Sequence, residues 1–387
     1  MFSNTTKTRR AFLQAAGTLG SLAWAGCAST GKIRTKIDDL YPSYIDAKTG
    51  AKVINLTPAD RQDTIIYQTH PMWTPGMEYF VYMAAGVPQA LEMATAQTRP
   101  LLDKSVNFSM QWDSANLYYF EGRDLYRLDV QSTFRGNVTK EKLGVLPEEY
   151  LQGPVGLSID ADGETVYTGA VLEQDKKWGI AAFNRGAWRT MTSFDFKVGH
   201  IQANPYRSGS VMFCWETGGD APQRTWVVDD KEGVARPAYR EINSEWVTHE
   251  AWWSRDRIIF TIWPYDDAHK RLPHGVAWSD LRNESLNVLA QYPAWHTQGS
   301  PDGHWALGDD FKRNLWLIDM RTQERRLLTQ GHLGEGCKTH PHASFTPDSH
   351  AIVFNSSHFG NDDIFYVPLP QWESLPKLEE VASASGA

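Results

Sequence analysis

Residues 299–310 read GSPDGHWALGDD, a tight turn followed by an apolar strand. The same pattern recurs at residues 158–171 (SIDADGETVYTGAV) and 344–357 (SFTPDSHAIVFNSS). In each stretch an Asp-Gly or Asp-Ser pair supplies the positive φ that a tight hairpin requires. A repeated turn and strand of this kind indicates that the chain is built from one structural unit used several times.

The unit occurs seven times. The units begin near Trp73, Trp112, Ile159, Asn204, Trp253, Ser300 and Phe345. Their spacing of roughly 40 to 50 residues, with a second aromatic strand such as NLWLIDM (314–320) later in each, is typical of propeller blades. The sequence therefore predicts an all-β fold, a seven-bladed β-propeller. Residues 49–57 (TGAKVINLT) resemble residues 321–329 (RTQERRLLT), so we expect them to complete the last blade.

Histidine occupies the same position, here called the repeat phase, in five of the seven units. The five are His70, His200, His249, His296 and His342, each six residues before a turn. The other two units carry Asn107 and Gly156 there. The chain has 12 His in 387 residues, so seven random positions would hold about 0.2 of one. First strands of blades line a central channel, so we expect these five imidazoles to surround one funnel and to serve metal binding, proton transfer or both.

The sequence also predicts the domain organisation. Residues 1–27 are expected to be a signal peptide, 28–48 a linker, 49–372 the propeller and 373–387 a flexible tail. Residues 8–13 (TRRAFL) form a twin-arginine export pattern. Trp24-Ala25-Gly26-Cys27 resembles a lipoprotein cleavage site. We therefore expect a periplasmic protein, either released or anchored to the membrane through a lipidated Cys27.

The composition limits the classes of molecule that the protein is expected to bind. The formal net charge is −8, with no basic block, which argues against nucleic acid as a partner. Aromatic residues make up 12% of the chain, including 16 Trp, which suits both stacked sheets and sugar binding. We expect an acidic oligosaccharide as the partner. The oligomeric state is left open.

The strongest local cluster of potential metal-binding side chains lies at residues 337–342 (CKTHPH). His340 and His342 are two apart on an extended segment, so their side chains point to the same face and can share a metal. His296, from the preceding blade, is the expected third ligand. Arg224 follows a Gly-Gly-Asp-Ala-Pro loop, which places it at an exposed blade end. An arginine beside several histidines favours a carboxylate-bearing ligand between them.

Several stretches resemble the oligogalacturonate lyases, polysaccharide lyase family 22. They are GHIQANP (199–205), QRTWVVD (223–229), THEAWW (248–253), WHTQGSPDG (295–303) and HPHASFTPD (340–348). The resemblance covers blades 4 to 7 well and blades 1 to 3 in general pattern. It implies a seven-bladed propeller that binds a divalent metal, usually manganese, and cleaves short uronic-acid oligosaccharides by β-elimination.

The resemblance also implies roles for individual residues. It makes His296, His340 and His342 metal ligands, Arg224 a catalytic arginine and His249 the catalytic base. The family has a glutamine ligand where this chain has Cys337. A thiolate would favour Zn²⁺ or Fe²⁺ over Mn²⁺. Alternatively, water or Gln298 completes the ligand shell. From their repeat phase and local context, His200, His70 and Gln202 are expected to bind substrate.

Three alternatives remain at this stage. One is a lyase acting on another uronate glycan, of the ulvan or rhamnose–glucuronate type, which the Cys337 change and the export signal both allow. The second is a non-catalytic sugar-binding propeller. The third is a glycoside hydrolase using carboxylates, for which the candidates are Asp266, Asp309, Asp310 and Asp362. We expect these four instead to cap turns.

Overall fold

The computed structural model describes residues 37, 39–58, 61–174, 176–217, 221–265, 272–334 and 339–378. Within these ranges the chain forms seven antiparallel sheets, six of four strands and one of five. The predicted seven-bladed β-propeller is confirmed. Residues 1–27, with the export pattern and Cys27, lie outside the described residues, as do Asp266 and Cys337. Among the described residues, no helix has the length and apolar character that crossing a membrane requires.

The strands follow chain order within the first six blades. Blade 1 contains β3 (Asp63–Ile65), β4 (Tyr79–Ala84), β5 (Val87–Glu92) and β6 (Gln97–Pro100). Blade 2 contains β7 (Asn107–Met110), β8 (Asn116–Glu121), β9 (Asp124–Asp129) and β10 (Lys140–Val145). Blade 3 contains β11 (Tyr150–Ile159), β12 (Val166–Leu172), β13 (Trp178–Asn184) and β14 (Ala187–Phe194).

The next three blades have the same arrangement. Blade 4 contains β15 (Val198–Ala203), β16 (Ser210–Trp215), β17 (Thr225–Asp229) and β18 (Ala235–Pro237). Blade 5 contains β19 (Glu245–Ser254), β20 (Arg257–Pro264), β21 (Gly275–Asp280) and β22 (Ser285–Ala290). Blade 6 contains β23 (Ala294–Gly299), β24 (Trp305–Asp310), β25 (Leu315–Asp319) and β26 (Arg325–Thr329).

Blade 7 joins the two ends of the chain. Its order is β27 (Ser344–Phe345), β28 (Ala351–Ser356), β29 (Asp363–Pro368), β2 (Lys52–Asn55) and β1 (Ser43–Ile45). Strand β2 pairs with β29 through Ile54–Tyr366 and Asn55–Phe365, as the sequence predicted for residues 49–57. The sheet starts earlier than expected, because β1 lies within the stretch assigned to a linker.

The helical segments are short. In the described part of the chain they include α1 (Val130–Phe134) and two 3-10 turns, Pro75–Met77 and Trp372–Ser374. Asp129 caps α1 by accepting a hydrogen bond from the backbone N–H of Ser132 at 2.6 Å. Leu375, in the stretch expected to be a flexible tail, is 2% exposed within the core of blades 6 and 7. Just before that stretch, the Trp372 ring lies 5.1 Å from that of Trp305.

Buried apolar side chains fill the spaces between neighbouring blades. Ala251 and Trp253 of blade 5, for example, pack in one cluster with Ala306 and Leu327 of blade 6. First strands of neighbouring blades contact one another, as β11 does with both β7 and β15. The first strands therefore line the channel, and a side chain that leaves their regular alternation can enter it.

Candidate functional site

A β-bulge interrupts the first strand of four successive blades at the repeat phase that carries histidine. The register shifts lie between Val155 and Ser158, Gly199 and Gln202, Thr248 and Ala251, and Ala294 and Thr297. Within them Gly156, His200 and His249 have φ of 71°, 49° and 58°. His342, just before β27, has φ of 46°. A bulge bends its strand and re-aims one side chain, so a recurring bulge places successive side chains at one level.

Four of the repeat-phase histidines converge there, together with His340. His296 is at the centre: its ring centroid lies 4.2 Å from that of His249, 4.2 Å from His342 and 5.2 Å from His340. Tyr67, from blade 1, has its ring 5.1 Å from His342, 6.0 Å from His200 and 6.3 Å from His296. The predicted funnel of imidazoles is therefore present, and Tyr67 stands within it.

His70 occupies a different place. It lines a cavity of about 340 Å³ with Trp73, Tyr206 and Trp252, residues at or beyond the distal ends of first strands. Burial lowers the pKa of His70 to about 4, so this imidazole is neutral near pH 7. The expectation that His70 joins the other histidines in binding substrate is not supported by this position.

Two glutamines have structural partners. Gln202 is 4% exposed, and its Nε2 donates to the carbonyl of Glu250 at 2.8 Å, so its amide has a structural partner and its assignment to substrate stays a prediction. Gln298 Nε2 donates to the carbonyl of Gln68 at 2.6 Å, and its Oε1 accepts from the backbone N–H of Phe345 at 2.6 Å. With its amide engaged at both ends, Gln298 is not free to complete a metal shell.

Asp309 fixes the orientation of His296. Its Oδ2 lies 2.9 Å from His296 Nδ1, and its Oδ1 accepts the backbone N–H of His296 at 2.6 Å. Since a carboxylate accepts the Nδ1 proton, His296 presents Nε2 with a free lone pair. Asp309 is therefore neither a turn cap nor one of a hydrolytic pair. Its neighbour Asp310 does cap a turn, accepting from the backbone N–H groups of Lys312 and Asn314.

The histidine cluster has the character of a metal site. Ligand atoms of His296, Asp309 and His340 lie within 4.8 Å of one another. Nδ1 of His340 is buried with no hydrogen-bond partner, which fits a nitrogen reserved for a metal. Burial and then the neighbouring His296 lower the pKa of His342 to about 3 and also lower that of His340. Neutral imidazoles are the form that binds metal.

His249 is arranged as a base. Its Nδ1 lies 3.3 Å from Oγ1 of Thr261, whose hydroxyl has two carbonyl acceptors at 3.1 Å, those of Thr248 and Trp295. With the hydroxyl proton given to a carbonyl, Thr261 accepts the Nδ1 proton, and Nε2 of His249 keeps its lone pair. Burial, and after it the neighbouring His296 and Arg224, lowers the pKa of His249, so the ring is neutral.

Two carboxylates hold Arg224, which is buried and not exposed at a blade end as expected. The side chain is 4% exposed, and its Nε donates to Oε1 of Glu250 at 2.6 Å. Glu241 accepts the backbone N–H of Arg224 at 3.0 Å and that of Thr225 at 2.9 Å. Burial is the largest single effect and acts to lower the pKa of Arg224, but the charge of Glu250, its hydrogen bond and the other neighbouring groups together outweigh it, so the pKa is raised. The guanidinium is a fixed positive charge.

A second group beside Arg224 contains His200, Glu216 and Cys214. Oε2 of Glu216 lies 3.3 Å from His200 Nε2, 3.9 Å from Arg224 Nη2 and 3.3 Å from Cys214 Sγ. Burial raises the pKa of the Cys214 thiol well above its usual value, so the thiol is protonated and donates to Glu216. The Cys214 side chain is buried, with the residue 1% exposed.

Sequence reasoning assigned no role to Tyr67, Glu241 or Glu250, and it did not pair Asp309 with His296. Glu250 is adjacent to His249, and Glu216 precedes Arg224 across a hairpin, but a carboxylate beside such residues has no distinctive spacing. Tyr67 lies outside the repeat phase. Only the paired strands reveal these contacts.

No model of a known protein family matches the chain. Among curated proteins, the oligogalacturonate lyase of Dickeya dadantii is 22% identical over 389 residues, covering 87% of this chain and 97% of the relative. The oligogalacturonide lyase of Pectobacterium atrosepticum is 23% identical with the same coverage. The chain is a distant relative of the oligogalacturonate lyases.

Solved structures give the same result for the fold. An oligogalacturonate lyase in complex with manganese superposes with a TM-score of 0.75 at 20% identity, over 86% of this chain and 96% of that one. The oligogalacturonate lyase of Vibrio parahaemolyticus gives 0.74 at 17% identity, over 86% and 97%. The similarity spans almost the whole of these proteins. The resemblance noted in the sequence is confirmed.

Proposed function

We propose that this protein is a metal-dependent lyase that cleaves oligogalacturonides or related uronic-acid oligosaccharides by β-elimination, leaving 4,5-unsaturated uronate ends. One observation carries the proposal. A neutral, buried His249 stands 4.2 Å from the ring of His296, at the centre of an imidazole cluster, with a buried Arg224 nearby. A base, a cation site and a fixed positive charge in one funnel are what proton abstraction beside a carboxylate needs.

His296, His340 and His342 would hold the ion. The relative solved with manganese makes Mn²⁺ the first candidate. Imidazoles also suit Zn²⁺ and Fe²⁺, and a ligand at Cys337 would favour them. When bound, a divalent ion supplies positive charge beside the uronate carboxylate, which makes the C5 hydrogen more acidic.

The chain's own residues account for the rest of the reaction. Nε2 of His249 takes the C5 proton, while Thr261 keeps the ring in the required tautomer. Arg224, held by Glu250, attracts the acidic sugar and favours the negative charge that develops on its carboxylate. Loss of the C4–O bond then produces the double bond between C4 and C5.

A second candidate is a lyase for another uronate glycan, of the ulvan or rhamnose–glucuronate type. The difference at Cys337 and the export signal favour it. The deciding experiment incubates purified protein with digalacturonate, trigalacturonate, ulvan oligosaccharides and rhamnose–glucuronate oligosaccharides, and follows the ultraviolet absorbance of unsaturated uronates. Absorbance with galacturonides alone supports the first candidate, and absorbance with another uronate alone supports the second. New reducing ends without absorbance would indicate a hydrolase. No product from any of these oligosaccharides would indicate a sugar-binding propeller.

For location we propose export by the twin-arginine route to the periplasm, with Cys27 as a membrane anchor. The support is the pattern at residues 8–13 and the Trp24–Cys27 sequence. Replacing Arg9 and Arg10 by lysine should keep the protein in the cytoplasm. Cys27→Ser should release it from the membrane fraction. A wild-type protein found only in the cytoplasm would contradict the proposal.

A further inference from the structure

The geometry points to His200, positioned by Glu216, as the proton donor to the departing glycosidic oxygen. This inference rests on the proposed function. It concerns the departure of the C4 oxygen, the part of the elimination in which His249 has no role. The electron pair of the breaking C4–O bond goes to the oxygen. The proton on the imidazolium of His200 goes to that oxygen, and His200 becomes neutral. His249 meanwhile holds the proton from C5, and exchange with water restores both rings.

The order of groups around the channel matches the order of reacting atoms in a uronate. Blade 5 stands between blades 4 and 6, so His249 has His296 on one side and His200 on the other. In the sugar, C5 stands between the carboxylate carbon and C4. A carboxylate placed at the His296 cluster, with C5 at His249, directs the C4 oxygen toward blade 4 and His200.

His200 and His249 differ in solvent exposure in the way expected for a proton donor and a base. The side chain of His200 is 35% exposed, whereas His249 is 8% exposed. A proton donor must recover its proton from solvent after each turnover, and the His200 side chain is open to solvent. The base must instead stay neutral until the substrate arrives, which the buried position of His249 ensures.

Glu216 makes His200 a positioned group. Its Oε2 lies 3.3 Å from His200 Nε2, so Nδ1 is the ring nitrogen that remains for the substrate. Cys214 and Arg224 fix the same carboxylate from β16 and from the residue before β17. A cation is not the expected occupant of His200, Cys214 and Glu216, because the thiol is protonated and the Arg224 guanidinium is close.

Tyr67 is the rival donor, since its ring is 6.0 Å from that of His200. Burial and then the charge of Glu250 raise the pKa of Tyr67, so its phenol releases a proton less readily than an ordinary tyrosine. This favours His200, and the two residues make separate predictions.

The test compares two probes with different leaving groups. Digalacturonate loses a sugar oxygen that needs a proton, whereas methyl 4-deoxy-4-fluoro-galactopyranosiduronate loses fluoride, which does not. His200→Asn retains a residue that tolerates positive φ. Its kcat on digalacturonate should fall about 100-fold or more, and its rate on the fluoride probe less than about tenfold. Glu216→Gln should show the same selectivity with a smaller loss. His249→Asn should lose both reactions.

Equal losses on both probes in His200→Asn, or no loss on digalacturonate, would overturn the assignment. A selective loss in Tyr67→Phe with His200→Asn unaffected would transfer the role to Tyr67. Circular dichroism and Mn²⁺ binding equal to wild type establish that each variant is folded. If wild-type protein forms no unsaturated product from either probe, the proposed function itself fails, a result distinct from all of these.

Discussion

Replacing Glu250 by Gln should destabilise the protein strongly. Arg224 and Glu250 form a pair with side chains 4% and 2% exposed and 2.6 Å between Nε and Oε1. Because solvent screens neither charge, removal of one partner leaves a buried cation, at a cost of about 3–5 kcal/mol in comparable cases. Glu216, at 3.9 Å from Nη2, remains to compensate part of it. We therefore expect the free energy of unfolding to fall by about 3 kcal/mol, the lower end of that range.

The measurement is urea unfolding followed by tryptophan fluorescence. Glu216→Gln is the matched control. The Glu216 carboxylate is 25% exposed and lies farther from the same arginine, at 3.9 Å, so its loss should lower the free energy of unfolding by less than about 1 kcal/mol. The double variant Arg224→Met with Glu250→Leu should recover most of the stability, since no buried charge is left without a partner. A Glu250→Gln protein within about 0.5 kcal/mol of wild type would refute the reasoning.

Three further predictions concern the site. Asp309→Asn should weaken metal binding about 10–100-fold in calorimetry, because His296 loses the carboxylate that fixes its tautomer; unchanged affinity would contradict this. His249→Ala should lower kcat about 10²–10⁴-fold while metal affinity stays within a factor of about three; joint loss of both would place His249 among the ligands. Burial raises the pKa of Glu241 from 4.5 to about 7, so its stabilising contribution is present below 4.5 and is lost as pH rises through 7. Between pH 4.5 and about pH 8, the free energy of unfolding of Glu241→Gln should therefore rise relative to that of wild type by up to about 3 kcal/mol. Parallel pH profiles of the two proteins would refute this.

The sequence predicted the fold well, because the propeller depends on local signals. Each hairpin has its own turn residues and each blade its own apolar strands, so the repeat could be counted without long-range information. The closing pair between β2 and β29 was also predictable, since residues 49–57 resemble the outer strand at residues 321–329.

The site was predicted in part. Phase within the repeat identified His200, His249, His296 and His342, because equivalent residues in equivalent blades occupy one level. For His70, the same phase leads to the lining of a separate cavity, beside Trp73 and Trp252. The burial of Arg224 depends on Glu250, a residue of the next blade, and no local pattern shows a contact between blades. The bulges were likewise invisible, since they exist only relative to a partner strand.

The most direct test of the metal-centred account is manganese binding to chelator-treated protein, measured by calorimetry for wild type and His340→Ala. His340 is the informative ligand, because its Nδ1 is buried without a hydrogen-bond partner. We expect one ion per chain for wild type and for a His70→Ala control, and at least about a tenfold weaker affinity for His340→Ala. A His340→Ala protein that binds manganese as tightly as wild type would contradict the account.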